Sequence, residues 1–129
     1  MLNIIAILIG GGIGSVCRHG LFILVQRLGG HEFPSGTLAV NLIGSLLVGL
    51  LWGLLEGIHL SSESRLFIFT GLLGGFTTFS AFSRETAQMF KVGQWKEACC
   101  YVGLSNILGV ILVLVGFSAA RYLLSSCKA

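Results

Sequence analysis

Four stretches of this chain carry no Asp, Glu, Lys or Arg: Met1–Cys17, Phe33–Leu55, Leu66–Ser83 and Ala98–Ala120. A helix needs about 20 mostly apolar residues to cross the hydrocarbon of a bilayer. After Arg18 and His19 the first stretch resumes its apolar character through Val25. The pattern predicts four spanning helices, near residues 3–28, 36–57, 65–90 and 97–124. Strands of a membrane barrel are shorter and alternate in polarity, and these segments do neither. Of the 129 residues, 54% are hydrophobic and 10% charged, whereas a soluble domain is roughly a quarter charged. Lipid is the solvent this composition suits. The expected fold class is an all-α membrane protein, a single four-helix transmembrane domain over residues 1–129.

The links between these helices are short and polar, too short for an extramembrane domain. Gly29–Ser35 contains the single proline, Pro34, which favours a helix start just beyond it. Ser61-Ser62-Glu63 leads into the third helix, with a Ser or Glu near its N-cap, and Lys91–Glu97 joins the third to the fourth. Met1-Leu2-Asn3-Ile4 has no basic region and no small-residue cleavage pattern follows, so the first apolar stretch is expected to remain in the mature protein. The formal charge of +3 is scattered and makes no nucleic-acid patch. Cys17, Cys99, Cys100 and Cys127 lack metal-ligand spacing and read as small apolar residues in helices. Gly10-Gly11-Gly12-Ile13-Gly14 lacks the last glycine and the strand context of a dinucleotide fingerprint. Glycines four apart, such as Gly10/Gly14, Gly49/Gly53 and Gly71/Gly75, instead suit close helix crossings in lipid.

Charge placement gives no orientation. One side of the membrane would carry Arg65, Arg121 and Lys128, the other Arg27, Lys91 and Lys96. With positive charge balanced, the positive-inside rule selects neither direction. The chain is expected to insert both ways and to pair as an antiparallel two-fold dimer.

Polar groups within the apolar stretches carry the functional information, because a charge at a helix centre costs about 2.5–3.5 kcal/mol on the insertion scale. Arg18 interrupts the first helix; it either snorkels to an interface or lines a water-filled vestibule. Asn41 either joins helices or offers its amide to an anion, with Thr37 one turn earlier on its face. In the third helix, Gly71, Gly74, Gly75, Thr77 and Thr78 weaken helical structure at mid-membrane. A broken helix there is tolerated only where it is buried in protein or lines a cavity. Freed carbonyls at such a break bind a cation, and the following helix start favours an anion. Phe76, Phe79 and Phe82 recur every three residues on one expected face, beside a hydroxyl stripe of Thr77, Ser80 and Ser83. In the fourth helix Tyr101 and Ser105 share a face; Tyr101 suits an interface belt, and Ser105 can bond its own backbone.

These candidates are donors, and no carboxylate lies near a helix centre; Glu56 and Glu85 fall toward helix ends. A donor-rich, acid-poor lining suits an anion, and phenyl edges, the positive part of the ring quadrupole, can contact one. Each His lies at or near a helix end and no catalytic set emerges, so the chain is not expected to be an enzyme.

Three motifs in order, Gly10-Gly11-Gly12-Ile13-Gly14-Ser15-Val16-Cys17-Arg18, Gly36-Thr37-Leu38-Ala39-Val40-Asn41-Leu42-Ile43-Gly44 and Gly74-Gly75-Phe76-Thr77-Thr78-Phe79-Ser80-Ala81-Phe82-Ser83, resemble the CrcB/Fluc fluoride channels, and the likeness covers the whole chain. The resemblance implies a dual-topology antiparallel homodimer in the cytoplasmic (inner) membrane, with two pores exporting fluoride passively. It implies pore roles for Phe79, Phe82 and Asn41, a vestibule role for Arg18 and a polar track including Thr78, Ser80, Tyr101 and Ser105. It also implies an acid, Glu85, near the pore end. The carbonyls of Gly74 and Thr77, from both subunits, correspond to a buried structural sodium (Na+) site. The chain departs from the family at Ala81, where Thr or Ser is usual, and at Gly109, where the track can continue. Two other readings compete: a small multidrug-type transporter, which would need a membrane-embedded Glu in the first helix that is absent here, and a non-conducting assembly protein.

Overall fold

The computed structural model describes residues 1–29 and 33–126. Gly30, His31 and Glu32 of the first link, with Cys127 and Lys128 near the C-terminus, lie outside the described residues. Every regular element among the described residues is helical: α1 (Leu2–Gly29), α2 (Ser35–Leu55), α3 (Ser62–Arg65), a π-helical segment (Leu66–Leu73), α4 (Gly74–Phe76), α5 (Phe79–Lys91) and α6 (Trp95–Ser126). Four helical spans, Leu2–Leu28, Ser35–Leu55, Ser62–Lys91 and Trp95–Ser126, are long and apolar enough to cross a membrane.

Local chemistry sets the ends of these elements. Pro34 occupies the N-cap of α2, where its missing N–H removes no helical bond. Ser61 caps α3, its Oγ accepting from the Ser64 N–H at 3.2 Å. α5 closes through Gly93, whose φ of 83° is a left-handed conformation that glycine adopts without a Cβ penalty. There Gly93 N donates to the Phe90 carbonyl and Gln94 N to that of Met89, the paired bonds that satisfy the last orphan carbonyls of a helix. The Leu66–Leu73 segment is wound more loosely than an α-helix: the Gly74 N–H reaches back five residues to the Phe69 carbonyl.

Glycine crossings draw the helices together in two pairs. α1 packs against the π-helical segment and α4, and α2 packs along α6. A methyl group at Gly14 would overlap the Leu72 carbonyl, and one at Gly49 would overlap that of Val113. Backbones therefore touch directly, which is how helices associate in lipid without a hydrophobic driving force. α1 and α5 also contact α2 and α6 respectively. This places the junction between α4 and α5 beside Asn41 of α2.

Candidate functional site

At that junction two residues leave helical geometry. Thr77 has φ −79° and ψ 157°, and Thr78 has φ −147° and ψ 111°; both are extended. The weak-helix glycines Gly74 and Gly75 are themselves helical. Asn41 reaches across from α2 and pairs with Thr78 as a strand would: its Nδ2 donates to the Thr78 carbonyl at 3.0 Å, and its Oδ1 accepts from the Thr78 N–H at 2.8 Å. One side-chain amide thus replaces two lost helical partners, which a membrane interior demands. The Asn41 amide is thus engaged once through Nδ2 and once through Oδ1, and among the described residues its second N–H has no partner.

Thr78 then starts the next helix. Its Oγ1 accepts from the Ala81 N–H at 3.2 Å and lies 3.3 Å from Ser80 Oγ. These substitutions release two carbonyls. The N–H that a continuous helix would direct to Gly74 goes to Asn41, and the one it would direct to Thr77 goes to Thr78 Oγ1. Thr77 turns its own hydroxyl back to the Leu73 carbonyl at 3.0 Å. The Gly74 carbonyl, in the last helical turn, and the Thr77 carbonyl, on the extended pair, are thus without the N–H partners of a continuous helix, the kind of neutral oxygen that alkali cations take at broken membrane helices.

The junction separates two cavities. The first, of about 360 Å³, is lined by Arg18, Thr37, Thr78, Ser80, Arg84 and Glu85 among others. Arg18 therefore borders a cavity. His19, which lies inside α1 instead of near a helix end, borders it as well. Glu85 is clasped from two sides: Thr37 Oγ1 donates to its Oε1 and Tyr101 OH to its Oε2, each at 2.8 Å. Thr37 is 1% exposed and Tyr101 0%. Tyr101 is thus a buried tie between α6 and α5, not an exposed belt residue.

The second cavity, a groove of about 320 Å³, is lined by Asn41, Thr78, Phe79, Phe82 and Ser105, with Ser45 and Asn106. Phe79 is 75% exposed and Phe82 9%, their ring centroids 5.6 Å apart and tilted by 41°. Phe82 in turn lies 5.2 Å from the Tyr101 ring. Ser105 Oγ is buried and has no hydrogen-bond partner among the described residues; it does not bond its own backbone.

Two expectations from periodicity are corrected here. Phe76 does not share the face of Phe79 and Phe82: it ends α4 as a buried residue packed beside Gly44. The extended Thr77–Thr78 pair resets the helical phase between them. For the same reason the hydroxyl stripe is split, Thr77 lining the groove and Ser80 the other cavity. Ser45, about one turn after Asn41, and Asn106, beside Ser105, are legible as polar residues of the second and fourth helices but are not expected as lining residues, and neither is Arg84; all three border the cavities.

The chain is thus a multi-span helical protein with two extended residues in its third span and donor-lined cavities on both sides of them. The family described as CrcB-like protein, Camphor Resistance (CrcB), matches residues 5–117. A fluoride-specific ion channel of Desulfotalea psychrophila is 48% identical over 117 residues, 91% of each chain. One of Parabacteroides distasonis is 41% identical over 128 residues, covering 99% of this chain and 100% of that relative, and one of Agrobacterium fabrum is 43% identical over 95% of this chain and 99% of its own. This chain belongs to the CrcB family. It is a multi-pass membrane protein whose relatives bear the name of ion channels, not enzymes.

Proposed function

We propose that this chain is a passive fluoride channel of the cytoplasmic membrane, acting as an antiparallel homodimer of two oppositely inserted copies that enclose two pores. The observation that carries the reading is Ser105: a buried hydroxyl without a partner among the described residues, in a groove walled by Phe79 and Phe82. An unsatisfied buried polar group costs about 1–3 kcal/mol, and a transient anion would relieve that cost. Fluoride is small and strongly hydrated, so a path must replace its water with donors and positive ring edges. Relatives that cover nearly all of this chain are named for fluoride.

In this reading Arg18 draws anions into the first cavity, where Ser80 and Thr78 offer hydroxyls. Asn41 holds the extended backbone in place, Phe79 and Phe82 line the next stage, and Ser105 donates beyond them. Glu85 of α5, tied by Thr37 and Tyr101, lines the same cavity as Arg18 and marks that end of the path. The Gly74 and Thr77 carbonyls of both subunits would hold sodium, whose fixed positive charge lowers the barrier for an anion nearby. Balanced charge at the two membrane faces supports insertion in both directions.

Liposomes loaded with fluoride and chloride test this. The channel reading expects rapid fluoride release with chloride retained and no need for a proton gradient. Release that requires a proton gradient would favour a multidrug-type transporter, and no release would favour an assembly protein. Tags on both ends should report each terminus on both faces of the membrane; a C-terminus on one face only would refute dual insertion.

A further inference from the structure

We propose that Ser45 of α2 completes the line of hydroxyl donors in the groove, taking the place of the side chain that α6 lacks at Gly109; the proposal rests on reading the groove as an anion path. Tyr101, Ser105 and Gly109 are spaced four apart on α6 and so lie along one face. The Tyr101 hydroxyl is given to Glu85, Ser105 presents its hydroxyl to the groove, and Gly109 carries none. A Cβ at Gly109 would lie 3.5 Å from Ser45 Oγ, so a hydroxyl from the facing helix already stands where residue 109 would present one.

Ser45 lines the same groove as Phe79, Phe82 and Ser105. No hydrogen bond engages its hydroxyl among the described residues, whereas nearby polar side chains turn back on their own helices: Thr77 donates to Leu73, Thr86 to Phe82 and Asn106 to Val102. Asn106 also borders the groove, but its amide is held at 2.8 Å from the Val102 carbonyl. Ser45 is therefore the neighbour of Ser105 with a hydroxyl to give. A serine hydroxyl donates one proton without carrying charge, which suits a site that an anion must enter and leave.

The experiment is fluoride efflux from liposomes holding the full chain, its Ser45→Ala variant, and the Ser45→Ala/Gly109→Ser double variant. The single variant is expected to slow efflux about three- to tenfold, the rate equivalent of one neutral hydrogen bond. The double variant is expected to recover it, because a side chain at 109 meets only ordinary contact at 3.5 Å. Recovery is the readout that a packing role would not give. Unchanged efflux for Ser45→Ala, or slowing that Gly109→Ser does not reverse, would overturn the proposal while leaving the channel reading intact. No fluoride release from the unmodified chain would instead overturn the channel reading and, with it, this proposal.

Discussion

The two sides of the Thr77–Thr78 junction use similar residues in opposite ways. Toward α2 and the Glu85 cavity, polar atoms are committed: Asn41 holds both backbone groups of Thr78, and Thr37 and Tyr101 hold both carboxylate oxygens of Glu85. Toward the groove some are open: among the described residues the Ser105 hydroxyl has no partner, although Asn106 is held by the Val102 carbonyl, and Phe79 is 75% exposed. A satisfied buried network fixes geometry, whereas an unsatisfied one keeps a cost that a water, a ligand or another chain can remove. On the proposed channel reading, the committed side is the frame and the open side is the working surface. Residue type alone does not distinguish them, since hydroxyls and an amide occur on both.

Asn41→Leu should break this contrast most severely. It strands the Thr78 N–H and C=O in the membrane interior at about 1–3 kcal/mol each, so thermal unfolding in detergent should come much earlier and fluoride flux should vanish. Tyr101→Phe is a smaller lesion on the same side. It removes one hydrogen bond to a carboxylate, about 1.5–3 kcal/mol, while Thr37 still holds Glu85; the expected result is a lowered melting temperature with the fold kept. Ser105→Ala should behave in the opposite manner. Removing a buried hydroxyl that has no partner leaves stability unchanged or raises it by up to about 1 kcal/mol, while fluoride release slows. Such a split between stability and flux would sharpen the distinction between frame and working surface; a stability loss at Ser105 as large as at Tyr101 would erase it. The smallest effect belongs to the exposed Arg121–Glu56 pair, 3.1 Å apart with side chains 57% and 43% exposed. Arg121→Gln should change stability by less than about 1 kcal/mol and leave flux unaltered.

The four spans were legible because length and absence of charge report directly on a bilayer, and Arg18 and Asn41 stood out as polar residues in apolar runs. The motifs around Asn41 and Phe79 were enough to point to the family. What could not be read was which donors are free. Asn41 finds Thr78 37 residues away, and Thr37 finds Glu85 48 away; partners at such separations are set by helix packing, which periodicity does not encode. The weak run reads over Gly71–Thr78, yet only its two threonines are extended, while Gly74 and Gly75 stay helical. Asn41 supplies peptide-like bonding there, and no propensity scale includes a neighbour's side chain. The same two residues shift the helical phase, which is why Phe76 left the face that simple spacing had assigned to it.

The most direct test of the open face is fluoride release from liposomes containing Phe79→Ile or Phe82→Ile, with chloride retention and dimer formation measured alongside. Both substitutions keep an apolar side chain in the groove and remove the ring edge. Each is expected to slow fluoride release by about tenfold or more, a barrier rise of about 1.4 kcal/mol, while the dimer still forms; the exposed Phe79 can change without loss of melting temperature, whereas Phe82→Ile also lowers it, because that ring is buried against Tyr101. Unchanged release from both variants would contradict this expectation and take the phenylalanines out of the path.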